Sequence, residues 1–308
     1  MAATVYAGVE LGGTKCVCTL GTHPGDIRDQ QVIPTREPAV TLEAIAEILS
    51  RWNTLQAPLA ALGIASFGPL DLHRDSPAYG SVGPTTKPHW THADLFGYFS
   101  RRFSVPIGIT TDVIGAALAE GRWGDARGLS HYAYVTVGTG VGVGVVVGGK
   151  CLEGAHHPEL GHVRVVRYPG DEWPGHCSFH GACVEGLASG PAIAARTGIN
   201  AAELPQDSPV WDTVAHALAQ LLHVLVMCVA PQRILIGGGV INTRPQLFPK
   251  IRRYLGASVN NFADIAELRA GLDTYIAPPG LGTRAGPCGA LAVAADAVAQ
   301  PPSAAMRS

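Results

Sequence analysis

VYAGVELGGTKCVCTL (residues 5–20) and YVTVGTGVGVGVVVGG (residues 134–149) begin two stretches of this chain in the same way. Each runs as an apolar strand into a turn of small residues and out along a second strand, with glycine where the backbone must bend tightly. Two such hairpins in one chain read as a duplicated α/β unit. The pattern between them predicts a helix over 42–52, a strand ALGIAS over 61–66 and a Gly/Pro-rich loop over 80–90. A strand PIGIT over 106–110 then leads into a helix from Asp112. After the second hairpin it predicts apolar helices over 182–195 and 211–229, a strand RILIGGG over 233–239 and a last helix over 285–298. At 308 residues the chain exceeds a usual single domain, so the expectation is two α/β domains with a cleft between them. Residues 1–112 form the first, residues 113–299 the second with its last helix a candidate to return to the first, and residues 300–308 a flexible tail.

Composition narrows the partners. Twenty-four acidic side chains nearly cancel 22 basic ones, for a formal charge of −2, and there is no basic run. That argues against nucleic acid or an anionic membrane and for a small molecule. No stretch of about 18 consecutive apolar residues offers a span, and strand pattern begins at Val5. Seven cysteines is an odd number, and Cys16, Cys18, Cys151, Cys228 and Cys288 are scattered in apolar surroundings rather than set in a disulfide framework. The expectation is a cytoplasmic protein. Cys16 and Cys18 are two apart on a strand and share a face, which suits packing.

The turn GGTK offers unobstructed backbone amides, a hydroxyl and an ammonium, which suit a phosphate group; it is equally an ordinary hairpin turn. The second turn, GTGVG from Gly138 to Gly142, gives two such turns for the two ends of a triphosphate. A third cluster, Gly237, Gly238 and Gly239, follows the strand RILI, where nucleotides lie against open backbone. Neither GxGxxG nor GxxxxGK[ST] occurs between a strand and a helix, which argues against Rossmann and P-loop folds.

ELGHVRVVRYPGDEWPGHCSFHGAC (residues 159–183) has metal-ligand spacing. Cys177, His180 and Cys183 stand three apart in a glycine-bearing loop, and His162 lies upstream. Two thiols and two imidazoles make a closed tetrahedral shell, the arrangement of structural zinc rather than of a catalytic ion with an open position. His176 is a spare candidate, while His156 and His157 read as solvated loop residues.

ELGGTK, the TD that opens the helix at Asp112, VGTGVG, ELGH, GHCSFHGACVEG and ILIGGG, in that order, resemble the ROK (repressor, open reading frame, kinase) family over nearly the whole chain. The stretch GHCSFHGACVEGLASGP is similar to the bacterial fructokinase branch. The resemblance implies an actin-like ATPase (ribonuclease H-like) fold, MgATP as phosphoryl donor, a hexose as acceptor and a homodimer. It assigns Asp112 as general base, because a carboxylate beside the attacking hydroxyl accepts its proton as the oxygen meets phosphorus. An aspartate opening a helix also serves as an N-cap. The resemblance further places Glu159, His162 and Glu185 on the sugar. It sets Glu10, Gly12, Gly13, Thr14 and Lys15 on the phosphate and magnesium side, and Thr139, Gly140, Pro191, Gly237, Gly238 and Gly239 around ATP. His162 then serves both sugar and zinc, so the metal preorganises the sugar-gripping loop.

Other readings stay open at this level. A kinase for glucose, mannose or an N-acetylated amino sugar fits the same motifs. The family's sugar-sensing repressors carry a DNA-binding segment ahead of the kinase-like part, whereas only Met1 to Thr4 precede the first strand here. Where the family usually has asparagine two residues after the base, this chain has Ile114, which can neither donate nor accept a hydrogen bond. That leaves a catalytically weak sugar-binding or sensing protein as a reading of another class.

Overall fold

The computed structural model describes residues 4–55 and 58–299, so the expected tail at 300–308 lies outside the described residues. Two compact units divide the chain. The first comprises the residues up to Arg127, the segment Glu153–His157 and the chain from Thr283; the second comprises Gly128–Leu152 and Pro158–Gly282. The first unit thus runs through Arg127 rather than to the expected 112, because the helix that opens at Asp112 packs on the first sheet.

In the first unit, β1 (Tyr6–Leu11), β2 (Lys15–His23) and β3 (Asp26–Pro34) form an antiparallel meander. On the other side of β1, β4 (Ala61–Ser66) and β5 (Ile107–Thr111) run parallel to it, giving the order β3-β2-β1-β4-β5. The helices are α1 (Pro38–Leu55), α2 (Leu95–Ser100) and α3 (Asp112–Trp123). In the second unit, β6 (Tyr132–Val137), β7 (Val141–Val147) and β8 (Lys150–Cys151) form the meander. Strands β9 (Arg233–Gly237) and β10 (Ile276–Ala277) run parallel to β6, giving β10-β9-β6-β7-β8. Reversed, the second order repeats the first strand for strand, and this is the duplication that the two hairpins announced.

The second unit also carries α4 (Val184–Ala188), α5 (Gly190–Thr197), α6 (Val210–Val229), α7 (Gly239–Thr243), α8 (Leu247–Val259), α9 (Ala266–Ala270) and α10 (Leu272–Tyr275). The helix expected over 182–195 is two helices. The Ser189 hydroxyl caps α5 by accepting from Ala192 N, its own N–H closes α4 on Glu185 O, and Pro191 suits a first turn that needs no such donor. Helix α6 is long and apolar enough to cross a membrane by length and composition alone. Its Trp211, Val214, Leu218, Leu221, Leu222 and Leu225 are buried in the core of the second unit, where the apolar character is used.

The last helix, α11 (Ala285–Ala299), belongs to the first unit and lies across β1 and β4. Glycine makes that approach possible. A Cβ on Gly63 of β4 would fall 2.0 Å from Ala290 O and 2.5 Å from Ala294 N, both backbone atoms of α11. No rotamer change relieves such a clash. Gly63→Ala is therefore expected to destabilise the protein by about 3 kcal/mol, at the upper end of overpacking costs. Urea denaturation checks this through a lower midpoint at unchanged slope.

Candidate active site and metal centre

In the first unit Glu10 sits one residue before the end of β1, ahead of the glycine turn. Gly12 N donates to Lys15 O at 3.0 Å, Thr35 N donates to Thr14 O at 3.0 Å and Thr35 Oγ1 donates to Gly12 O at 2.7 Å. The end of β3, a strand without counterpart in the expectation, thus braces the turn. A Cβ on Gly13 would meet nothing within 4 Å, so this face of the turn is open. Lys15 is exposed at the start of β2.

Asp112 is the first residue of α3, and Thr111 is the residue that caps the helix, its hydroxyl accepting from Ile114 N at 3.3 Å. The capping alternative for Asp112 therefore falls away. Its Oδ1 accepts from Val113 N at 2.8 Å. Burial pushes the Asp112 carboxyl from 3.8 up to about 6 against the pull of those backbone amides, although part of the residue stays open to solvent. The Glu10 carboxyl is pushed up to about 7, first by burial and then by the negative charge of Asp112, with Lys15 opposing. Its oxygens lie against the first turn of α11, where a Cβ on Gly286 would fall 2.0 Å from Oε1. Two half-buried carboxyls, Asp112 raised by burial and Glu10 by burial and the charge of Asp112, suit proton transfer near pH 7. Ile114 is 6% exposed, so its side chain is used in packing.

In the second unit one donor atom from each of His162, Cys177, His180 and Cys183 lies within 4.8 Å of all the others. Zinc bonds of about 2.3 Å to sulfur and about 2.0 Å to nitrogen at tetrahedral angles set S and N about 3.5 Å apart. The separations are 3.6 Å from His162 Nδ1 to Cys177 Sγ, 3.6 Å from His162 Nδ1 to Cys183 Sγ and 3.8 Å from His180 Nδ1 to Cys177 Sγ. The donor set and its spacing fit zinc. His176, the spare candidate, lies outside the cluster, its N–H donating to Gly186 O. His157 overturns the expectation of a solvated loop residue: it is 6% exposed, and its Nε2 accepts from Leu70 N at 3.0 Å.

The cluster continues into other candidate residues. His162 presents Nδ1 to the thiols and Nε2 to Glu185, whose Oε1 is 3.9 Å away. Glu185 Oε2 accepts from Val141 N at 3.1 Å, and a Cβ on Gly140 would fall 2.6 Å from the same oxygen. A carboxylate thus joins the metal-type cluster to the second glycine turn. Glu159 is exposed at the head of the turn Leu160–His162, its carbonyl accepting from His162 N at 3.0 Å.

Thr139, Pro191 and Gly239 come together around a cavity of about 430 Å³. Asn200, Ala194 and Thr243 also line it, residues that motif reading missed. The signal for Thr243 lay in GVINT, directly after the glycine cluster. Gly237 and Gly238 do not line the cavity. Gly238, at φ 96°, has its Cα hydrogens where a Cβ would fall 2.5 Å from backbone atoms of Val137, so it serves the close approach of β9 to β6.

Two sheets of this order, each with a glycine turn in its first hairpin, define a protein of the actin-like ATPase fold. A solved ROK hexokinase from Thermus thermophilus superposes with a TM-score of 0.77 at 25% identity, covering 96% of this chain and 99% of that one. Residues 6–297 match the ROK family, and the chain belongs to it. It is 39% identical over 290 residues to a fructokinase of Pediococcus pentosaceus, covering 94% of this chain and 97% of that one. To a fructokinase of Zymomonas mobilis it is 39% identical over 294 residues, covering 94% and 96%.

Proposed function

We propose that the chain is an ATP-dependent fructokinase with Asp112 as its general base. The observation that carries this reading is the near-full-length likeness to fructokinases, joined to an Asp112 that is freed from capping and raised toward neutrality. Asp112 takes the proton of a fructose hydroxyl as its oxygen bonds to the γ-phosphorus of ATP. The bond from that phosphorus to the β-phosphate oxygen breaks, and ADP leaves.

On the first unit, the turn at Gly12, Gly13, Thr14 and Lys15 faces phosphate oxygens, with Glu10 beside it. Magnesium, when bound with the nucleotide, supplies positive charge to those oxygens. On the second unit, Thr139 and Gly140 hold phosphate, and Pro191 and Gly239 border adenosine at the cavity, with Gly237 and Gly238 shaping the strand end. Glu159, His162 and Glu185 hold the sugar. His162, Cys177, His180 and Cys183 hold zinc, which when bound supplies a rigid clasp for the loop carrying them. The reading includes a homodimer, as the family resemblance implies, and a cytoplasmic location, which seven cysteines outside any disulfide support.

ADP release coupled to a dye readout, across fructose, glucose, mannose and N-acetylated amino sugars, tests it. Fructose is expected to give the highest kcat/KM. A higher value for another hexose removes the word fructose and leaves the kinase; no release with any sugar removes the kinase.

A further inference from the structure

The loop over residues 80–90 has no part in the reading above, yet it brings a charge to the first glycine turn. Lys87 Nζ donates to the carbonyl oxygen of Gly13. The loop is fixed around it. Trp90 is fully buried, donates from Nε1 to Arg36 O at 2.9 Å and meets Phe67 edge-on, with ring centroids 5.1 Å apart. Lys87 N donates to Thr85 Oγ1 at 3.3 Å, and Lys87 O accepts from Trp90 N at 3.3 Å.

With Lys87 in place, every carbonyl from Gly12 to Lys15 is engaged: Gly12 and Thr14 by Thr35, Lys15 by Gly12, and Gly13 by the ammonium. The carbonyls of the turn are therefore held by protein donors, while the face at Gly13, where a Cβ would meet nothing within 4 Å, stays open to an anion. Three of the four carbonyls are held by neutral donors. A neutral donor would serve the fourth equally well, but a half-buried ammonium stands there, with no carboxylate partner among the described residues. A partly desolvated cation without a counter-charge is offset when an anion arrives.

We propose that Lys87 is a phosphate-recognition residue of the first glycine turn, its ammonium acting on the phosphoryl group that the turn receives. This rests on the kinase reading. Lys87 polarises the Gly13–Thr14 peptide and adds a full charge where negative charge on the transferring group must be stabilised.

Lys87→Gln keeps a donor for the Gly13 carbonyl and removes the charge, while Lys87→Arg keeps the charge. With fructose and MgATP, Lys87→Gln is expected to lose about 100-fold in kcat, with KM for fructose within about twofold of the parent, and Lys87→Arg to recover at least a tenth of the parent rate. Melting temperature and zinc content should match the parent in both. A Lys87→Gln enzyme within about threefold of parent kcat overturns the proposal, as does a loss matched by an equal loss of fructose affinity. If Lys87→Gln fails to fold, Lys87→Arg decides, with less than a tenth of the parent rate in a folded protein counting against the charge. Should the parent turn over no hexose, the kinase reading fails separately. Calorimetric titration with MgATP then decides for Lys87, where weakening by tenfold or more supports it and equal affinity in parent and Lys87→Gln overturns it.

Discussion

Asp112→Asn is expected to lower turnover by about three orders of magnitude and, at the same time, to make the protein more stable. The two effects share one cause. An asparagine cannot take the proton of the attacking hydroxyl, so the acceptor oxygen must reach phosphorus still protonated. Yet the aspartate is held where burial penalises its charge, raising its pKa from 3.8 to about 6. A carboxyl whose folded pKa lies above its unfolded value costs the fold nothing below the unfolded value. The cost grows as pH rises through the window from 3.8 to about 6 and is complete above it. Removing the charge therefore stabilises most at neutral and alkaline pH, and the gap in melting temperature between Asp112→Asn and the parent should widen from pH 5 to pH 8. The parent's kcat/KM should fall as pH falls through about 6, because a general base works only when ionised. Glu10, raised by burial and by the charge of Asp112, should titrate lower in the variant. Near-parent turnover in Asp112→Asn would sink the assignment.

The same residue shows what a sequence can and cannot reveal. That a helix opens at Asp112 was legible from the apolar spacing after it. Which of two adjacent residues caps the helix was not, because Thr111 and Asp112 are both good caps and the choice depends on where β5 ends. Period and turn chemistry made the two hairpins legible, and their duplication carried the fold. Strand β3 escaped because DIRDQQVIP lies at the sheet edge with alternate residues exposed, and its composition is that of a polar loop. Helix α8 escaped although Leu247, Phe248, Ile251, Leu255 and Val259 form an apolar stripe against α6, since charged Lys250, Arg252 and Arg253 interrupt it in the linear text. The metal-type cluster was legible from spacing alone. Its link through His162 and Glu185 to the second glycine turn was not, because Val141 and Glu185 are 44 residues apart and no motif joins them.

That link makes metal loss the second large effect expected. Cys183→Ser is the clean test, because Cys183 has two roles that serine separates. Its sulfur accepts from Gly186 N at 3.4 Å and caps α4, a task a serine hydroxyl performs well. As a zinc ligand, serine is poor. The variant should therefore keep α4 capped and lose the metal, falling from about one zinc per chain to a small fraction. Stability should fall by several kcal/mol, since metal binding to a site absent from the unfolded chain adds to folding free energy. Acid should act in the same direction. Burial, with the neighbouring Cys177, pushes the metal-free Cys183 thiol up to about 11, so zinc must displace a tightly held proton, and lowering pH favours the proton. His162, released from the cluster, no longer fixes Glu185, and Glu185 no longer fixes Val141 N. KM for the sugar should rise in Cys183→Ser and in chelator-treated parent alike. His176→Ala, which alters a histidine beside the cluster but outside it, should change neither zinc content nor melting temperature. Metal analysis with thermal melts reads all three proteins, and a Cys183→Ser variant that keeps its zinc would remove Cys183 from the shell.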